Sequence, residues 1–90
     1  MSYTYKATQK FWKNKNALPE NQQKVLKEKF EFFKKDPFHP LLRSHPIAKL
    51  TADYKHPIFS AVIEGNLRVL FRIDDDVVTT LAVGTHDLYK

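Results

Sequence analysis

The chain contains no cysteine and only two glycines. Without cysteine it can form neither a disulfide nor a thiolate metal site, and a small fold lacking such staples suits a reducing cytoplasm better than an oxidising compartment. Two glycines leave no glycine-rich phosphate loop, and neither G-x-S-x-G nor H-E-x-x-H occurs, which argues against nucleotide hydrolysis and triad chemistry. No apolar leader opens the chain, and no stretch approaches the ~18 apolar residues that span a bilayer, so neither export nor membrane insertion is expected. His39, His45, His56 and His86 have no helical i, i+4 spacing and no cysteine partners, so the expectation is a protein with no metal and no cofactor.

Aromatic residues, by contrast, are plentiful. Seven Phe, four Tyr and one Trp within a 42% hydrophobic composition supply a core, and a chain of 90 residues has room for one domain. Lysine and arginine outnumber the acids by fifteen to ten, and the excess is uneven: +6 over residues 1–35, +2 over 36–73 and −3 over 74–90. Such a bias favours a polyanionic partner, although a lysine-rich solvated helix face gives the same count.

The alternation of Tyr3, Tyr5 and Ala7 with polar residues predicts a strand over Ser2 to Ala7. Thr8 can cap a short helix that turns Phe11 and Trp12 inward and ends near Asn14 to Asn16. Pro19 suits the first turn of a second helix, whose Val25, Leu26, Phe30 and Phe33 form one apolar face, and Pro37 stops it after Lys35. Asp36 to His56, with its His39-Pro40 and His45-Pro46 pairs, is expected to be an extended loop that ends at His56-Pro57. Three strands follow, over Ile58 to Glu64, Leu67 to Ile73 and Val77 to Gly84, forming an antiparallel meander. The fold class is therefore α+β: an N-terminal strand and a two-helix hairpin packed on a mostly antiparallel four-stranded sheet. In the middle strand Leu67, Val69, Phe71 and Ile73 face the core, which leaves Arg68 and Arg72 on the face away from the helices.

Chemistry concentrates in Gly84-Thr85-His86-Asp87-Leu88-Tyr89, where an imidazole, a carboxylate and a phenol follow a strand. Cleaving RNA through its own 2′-hydroxyl requires a base, an acid and a charge stabiliser, and His45, His86 and Arg68 could supply them. A strand arginine and an exposed histidine also occur in inert domains, and a terminal tyrosine often only covers a core edge.

The run Asn66-Leu67-Arg68-Val69-Leu70-Phe71-Arg72-Ile73, an acidic turn, a valine-rich strand and then Gly84-Thr85-His86 resemble the RelE/ParE toxin superfamily of type II toxin–antitoxin systems. Asp36-Pro37, Leu41-Leu42-Arg43-Ser44-His45-Pro46-Ile47 and Lys49-Leu50 resemble the loop of its YafQ-like mRNA interferase branch. The resemblance implies a helices-on-sheet fold and a bacterial, ribosome-associated mRNA endonuclease that is neutralised in a hetero-oligomer with a cognate antitoxin. It also implies roles: His86 as general acid, His45 as general base or its helper, Arg68 on the scissile phosphate and Tyr89 stacked on a base. Arg72, Asp87 and Lys49 complete the expected substrate-binding set. YafQ-like enzymes carry a further histidine and an Asp-Trp pair around the central hairpin, where this chain has Val62, Asn66 and Leu67. The antitoxin is expected to cover the basic helix Pro19 to Lys35 and the Arg68/Arg72 face. The alternative is a ParE-like DNA gyrase inhibitor, or a catalytically inert antitoxin-binding domain.

Overall fold

A computed structural model describes residues 3–47 and 57–85 of the chain. Strand β1 (Thr4–Ala7) leads into helix α1 (Gln9–Ala17) and helix α2 (Glu20–Lys35). A single 3-10 turn (Pro40–Leu42) and strand β2 (His45–Pro46) follow, and then strands β3 (Ile58–Glu64), β4 (Leu67–Asp74) and β5 (Val77–Gly84). The sheet order is β1-β5-β4-β3-β2, with β1 parallel to β5 and every other pair antiparallel.

The expected sheet of four strands therefore has five and is mixed. The fifth, β2, lies in a segment whose sequence reads as loop, because two residues, one of them proline, show no alternation. Its place at the sheet edge suits Pro46, which has no N–H to give to a ladder. Residues 48–56 of that expected loop lie outside the described residues.

Helix α1 is fixed at its start by Thr8, whose hydroxyl accepts from Phe11 N at 3.1 Å and donates to Leu81 O at 2.9 Å. Leu81 is the extra residue of a bulge in β5, since Leu70 and Phe71 of β4 pair with Ala82 and Thr80. Beyond the bulge the outer edge of β5 is met by α1: Val83 N donates to the Asn14 side chain at 3.2 Å. Thr8 and Asn14 thus satisfy backbone groups that a longer β1 would have paired.

Phe11 is buried, whereas Trp12 is 50% exposed, contrary to the expectation that both turn inward. Consecutive helical positions point about 100° apart, so the residue after a buried one swings toward the rim. In α2, Leu26 and Phe33 are fully buried while Val25 and Phe30 flank them, and Pro19 occupies the cap position rather than the first turn.

Two adjoining clusters make the core between helices and sheet. Phe11, Leu26, Ile63, Leu67, Val69 and Val83 form one. Phe33, Leu42, Ala61, Phe71 and Val78 form the other. Rings of Phe11, Phe30, Phe33 and Phe71 are linked edge to face at centroid distances of 4.9–5.6 Å, and each fully buried ring stabilises the fold by about 1.5–3 kcal/mol.

Candidate functional site

The site is built on the sheet face turned away from the helices. Residues paired across adjacent strands project from the same face, so the register fixes who neighbours whom. One row reads His45, Ser60, Leu70, Ala82. On one side of it lie Val62, Arg68 and Gly84, and on the other Ile58, Arg72 and Thr79. The two arginines bracket the row that ends in His45. With strands about 4.8 Å apart and a rise of about 3.4 Å per residue, the His45 and Arg68 Cα atoms are roughly 12 Å apart, as are those of His45 and Arg72. That span is bridgeable by an arginine side chain and a nucleotide.

This face is less open than its alternation suggests. Ser60, Leu70 and Ala82 are buried in the row between the arginines, and Ile58 is buried beside Arg72. The uninterrupted apolar run Val69-Leu70-Phe71 is the sequence signal for strand burial on both faces.

Each candidate side chain is held by its local backbone. His45 is exposed, and its Nδ1 lies 3.0 Å from Arg43 O. A carbonyl only accepts, so this bond exists when Nδ1 carries the proton, which leaves Nε2 as the ring's free base. Arg43 presents that carbonyl from a left-handed conformation, φ 48°, which costs a non-glycine residue about 1–2 kcal/mol. Ser44 secures the same bend by donating its hydroxyl to Pro37 O at 2.6 Å.

Arg68 donates through Nη1 to Gly65 O, in the β3–β4 turn, where Gly65 takes φ +50°, and to Leu67 O at 3.4 Å. The turn thus orients the guanidinium and leaves its remaining donors for a ligand. Arg72 has a buried Nε with no hydrogen-bond partner among the described residues. An unsatisfied buried donor costs about 1–3 kcal/mol.

His39 has a structural explanation: its Nδ1 accepts from Leu41 N at 3.2 Å, capping the 3-10 turn, and its ring packs on Phe32 at 4.8 Å. Among the described residues no three His, Asp or Glu side chains gather as a metal-binding group. His86, Asp87, Tyr89 and Lys49 lie outside the described residues. The structure therefore brings His45, Arg68 and Arg72 onto one face and leaves the other four expected residues unplaced. Ser60 and Arg43 were missed by the sequence reading. Ser60 could have been noticed as the one hydroxyl in an apolar strand, but nothing in the sequence marks the left-handed turn at Arg43.

No family model matches the sequence, and neither does any curated protein. Solved structures do match in shape. The archaeal RelE in its complex with RelB from Pyrococcus horikoshii OT3 superposes with a TM-score of 0.72, covering 98% of this chain and 99% of that one at 16% identity. The toxin–antitoxin complex RelBE2 from Mycobacterium tuberculosis contains a chain of 28% identity, matched with a TM-score of 0.69 over 96% of this chain and 100% of that one. The fold is that of the RelE superfamily. YafQ-like members share it: a chain of the E. coli DinJ–YafQ toxin–antitoxin complex matches at 17% identity with a TM-score of 0.65 over the full length of both chains. In this RelE-type sheet the row that carries Arg68 ends at Gly84, the last residue of β5, and the row that carries His45 ends at Ala82.

Proposed function

We propose that this chain is the toxin of a toxin–antitoxin pair and that it cleaves mRNA on the ribosome without a metal. The observation that carries the reading is the shared face of His45, Arg68 and Arg72, with the His45 imidazole oriented by Arg43 O so that Nε2 is free. It is supported by a fold shared with toxins whose solved complexes contain their antitoxins.

In the proposed reaction a base takes the proton of a ribose 2′-hydroxyl, whose oxygen attacks the adjacent phosphorus. The bond from phosphorus to the 5′-oxygen breaks, and an acid gives that oxygen a proton, leaving a 2′,3′-cyclic phosphate and a 5′-hydroxyl. His45 Nε2 suits the base, and Arg68 the negative charge that builds on the phosphoryl oxygens. Arg72 would hold a neighbouring phosphate through the outer nitrogens of its guanidinium. His86 is assigned as the acid, Tyr89 as the stacking residue, and Asp87 and Lys49 as further substrate contacts. These four assignments rest on the resemblance and on their positions in the sequence. The partners would be mRNA in the bacterial cytoplasm and a neutralising antitoxin. Among the described residues no helix is long and apolar enough to cross a membrane.

Expression of the chain in bacteria, with mRNA ends mapped by primer extension, tests this reading. Codon-phased cuts should appear and should fall by about 10² to 10⁴ in His86→Ala and His45→Ala, the usual range for losing a general acid or base. Equal cutting by all three proteins would remove both histidines from the mechanism. Intact mRNA together with an SOS response and stalled gyrase would replace the nuclease by a ParE-like activity.

A further inference from the structure

Between Leu42 and His45 the chain changes sides of the sheet. Leu42 is fully buried among Phe33, Ala61, Phe71 and Val78, on the helix side. His45 pairs with Ser60 and belongs to the opposite face. Three residue steps span at most about 10 Å, roughly the separation of packed layers, so the crossing leaves little slack. It is made by a sharp bend at Arg43, which takes φ 48° and ends the 3-10 turn, its N–H donating to Pro40 O at 3.3 Å. A left-handed arginine is strained and persists only where its surroundings hold it.

The hold comes from the next residue. Ser44 Oγ donates to Pro37 O at 2.6 Å, seven positions back. That carbonyl is a firm anchor, because the Pro37 side chain is fully buried. The turn around it is fixed by two more bonds to Asp36: Phe38 N donates to Oδ1 at 2.9 Å and His39 N to the main-chain oxygen at 3.0 Å. Beyond the bend, the exposed His45 ring makes one hydrogen bond among the described residues, between Nδ1 and Arg43 O at 3.0 Å.

We propose that Ser44 is a positioning residue for His45: its hydroxyl holds the left-handed bend, the bend aims the Arg43 carbonyl at Nδ1, and the ring keeps its proton there with Nε2 bare. The catalytic consequence rests on the reading of His45 as the base. Nδ1 is protonated both before and after Nε2 takes the 2′-hydroxyl proton, so the bond to Arg43 O survives the transfer and the ring need not turn over. Without that carbonyl in place, either nitrogen can carry the proton, and a ring protonated on Nε2 has no free base facing the ribose.

The test uses the full chain. Nitrogen-15 NMR of the neutral imidazole distinguishes the two tautomers without any substrate, and wild-type His45 should show a protonated Nδ1 and a bare Nε2. Ser44→Ala should raise the share protonated on Nε2. It should also lower kcat for ribosome-bound mRNA by about two- to tenfold, the span that one ordinary hydrogen bond controls, with KM little changed. Ser44→Thr keeps the hydroxyl and should restore both readouts. Should Ser44→Ala fail to fold, Arg43→Gly combined with Ser44→Ala must fold and recover the wild-type tautomer, since glycine takes the bend without strain. Four results would overturn the proposal: a wild-type ring protonated on Nε2, an unchanged tautomer in Ser44→Ala, a loss confined to KM, or a double variant that recovers nothing. A ring that responds to Ser44→Ala in a chain that cuts no RNA loses the nuclease reading alone. RNA cut equally well by Ser44→Ala with the tautomer unmoved loses the positioning role alone.

Discussion

At His45 a main-chain carbonyl does what a carboxylate does beside many proton-transferring histidines: it fixes which ring nitrogen holds the proton. Because that carbonyl belongs to a left-handed residue two positions earlier, the ring's orientation depends on one backbone bend rather than on packing. The sequence marks His45 by the company of Pro46 and by family resemblance, but it has no signal for the Arg43 conformation, which follows from the way the 3-10 turn ends. Arg68 and Arg72 were legible because the alternation in β4, broken only at Leu70, assigns them one face. Tyr5 offers a cleaner test of a single contact. Its hydroxyl donates to Phe33 O at 2.7 Å, among the last carbonyls of α2, which have no partner within the helix. Burial, then the neighbouring Tyr3 and Asp36, push its pKa above the ordinary tyrosine value. A raised folded pKa means that Tyr5 contributes its full stability below the ordinary value near 10 and loses it as pH climbs through the higher folded one. Tyr5→Phe should cost about 1 kcal/mol at neutral pH. In chemical denaturation at a series of pH values, its stability should then fall less steeply than that of the wild type above about pH 10.

Among the elements, α1 carries more than its length suggests, since it caps itself and closes the edge of β5 with the same residue. Thr8→Ala removes both the bond to Phe11 N and the bond to Leu81 O, and we expect a loss of about 1–2 kcal/mol in denaturant unfolding. Thr8→Ser should recover most of it, and an alanine as stable as wild type would show that the bulge holds without this anchor. The capping role was readable from sequence; the bond to Leu81 was not, because it spans 73 positions. The same division runs through the sheet. Strands β3, β4 and β5 show their bounds through alternation and the turns at Gly65-Asn66 and Asp75-Asp76. Strand β2 has no pattern of its own and exists because β3 offers an edge. The candidate histidine, His45, therefore rides on the one described strand that the sequence does not announce.

For the whole molecule, the basic excess of residues 1–73 against the acidic end predicts strong salt dependence of RNA binding. Each phosphate contact contributes a slope of about −0.7 in a plot of log affinity against log salt for a single strand. Arg68→Gln and Arg72→Gln should each flatten that slope by about this amount in fluorescence-anisotropy titrations. A slope unchanged in both variants would remove the arginine face from the RNA interface. The parallel pairing of β1 with β5 carries a different consequence, one for the order in which the protein comes into being. On a translating ribosome β1 and α1 emerge first, yet β1 must wait for Val77–Gly84 before it has a neighbour in the sheet, and Thr8 and Asn14 wait for Leu81 and Val83. Long-range pairing of this kind folds late and slowly. Since β4, which bears both arginines, also leans on β5, a chain without β5 has no assembled arginine face, and whatever activity depends on that face arrives only after β5 has been made.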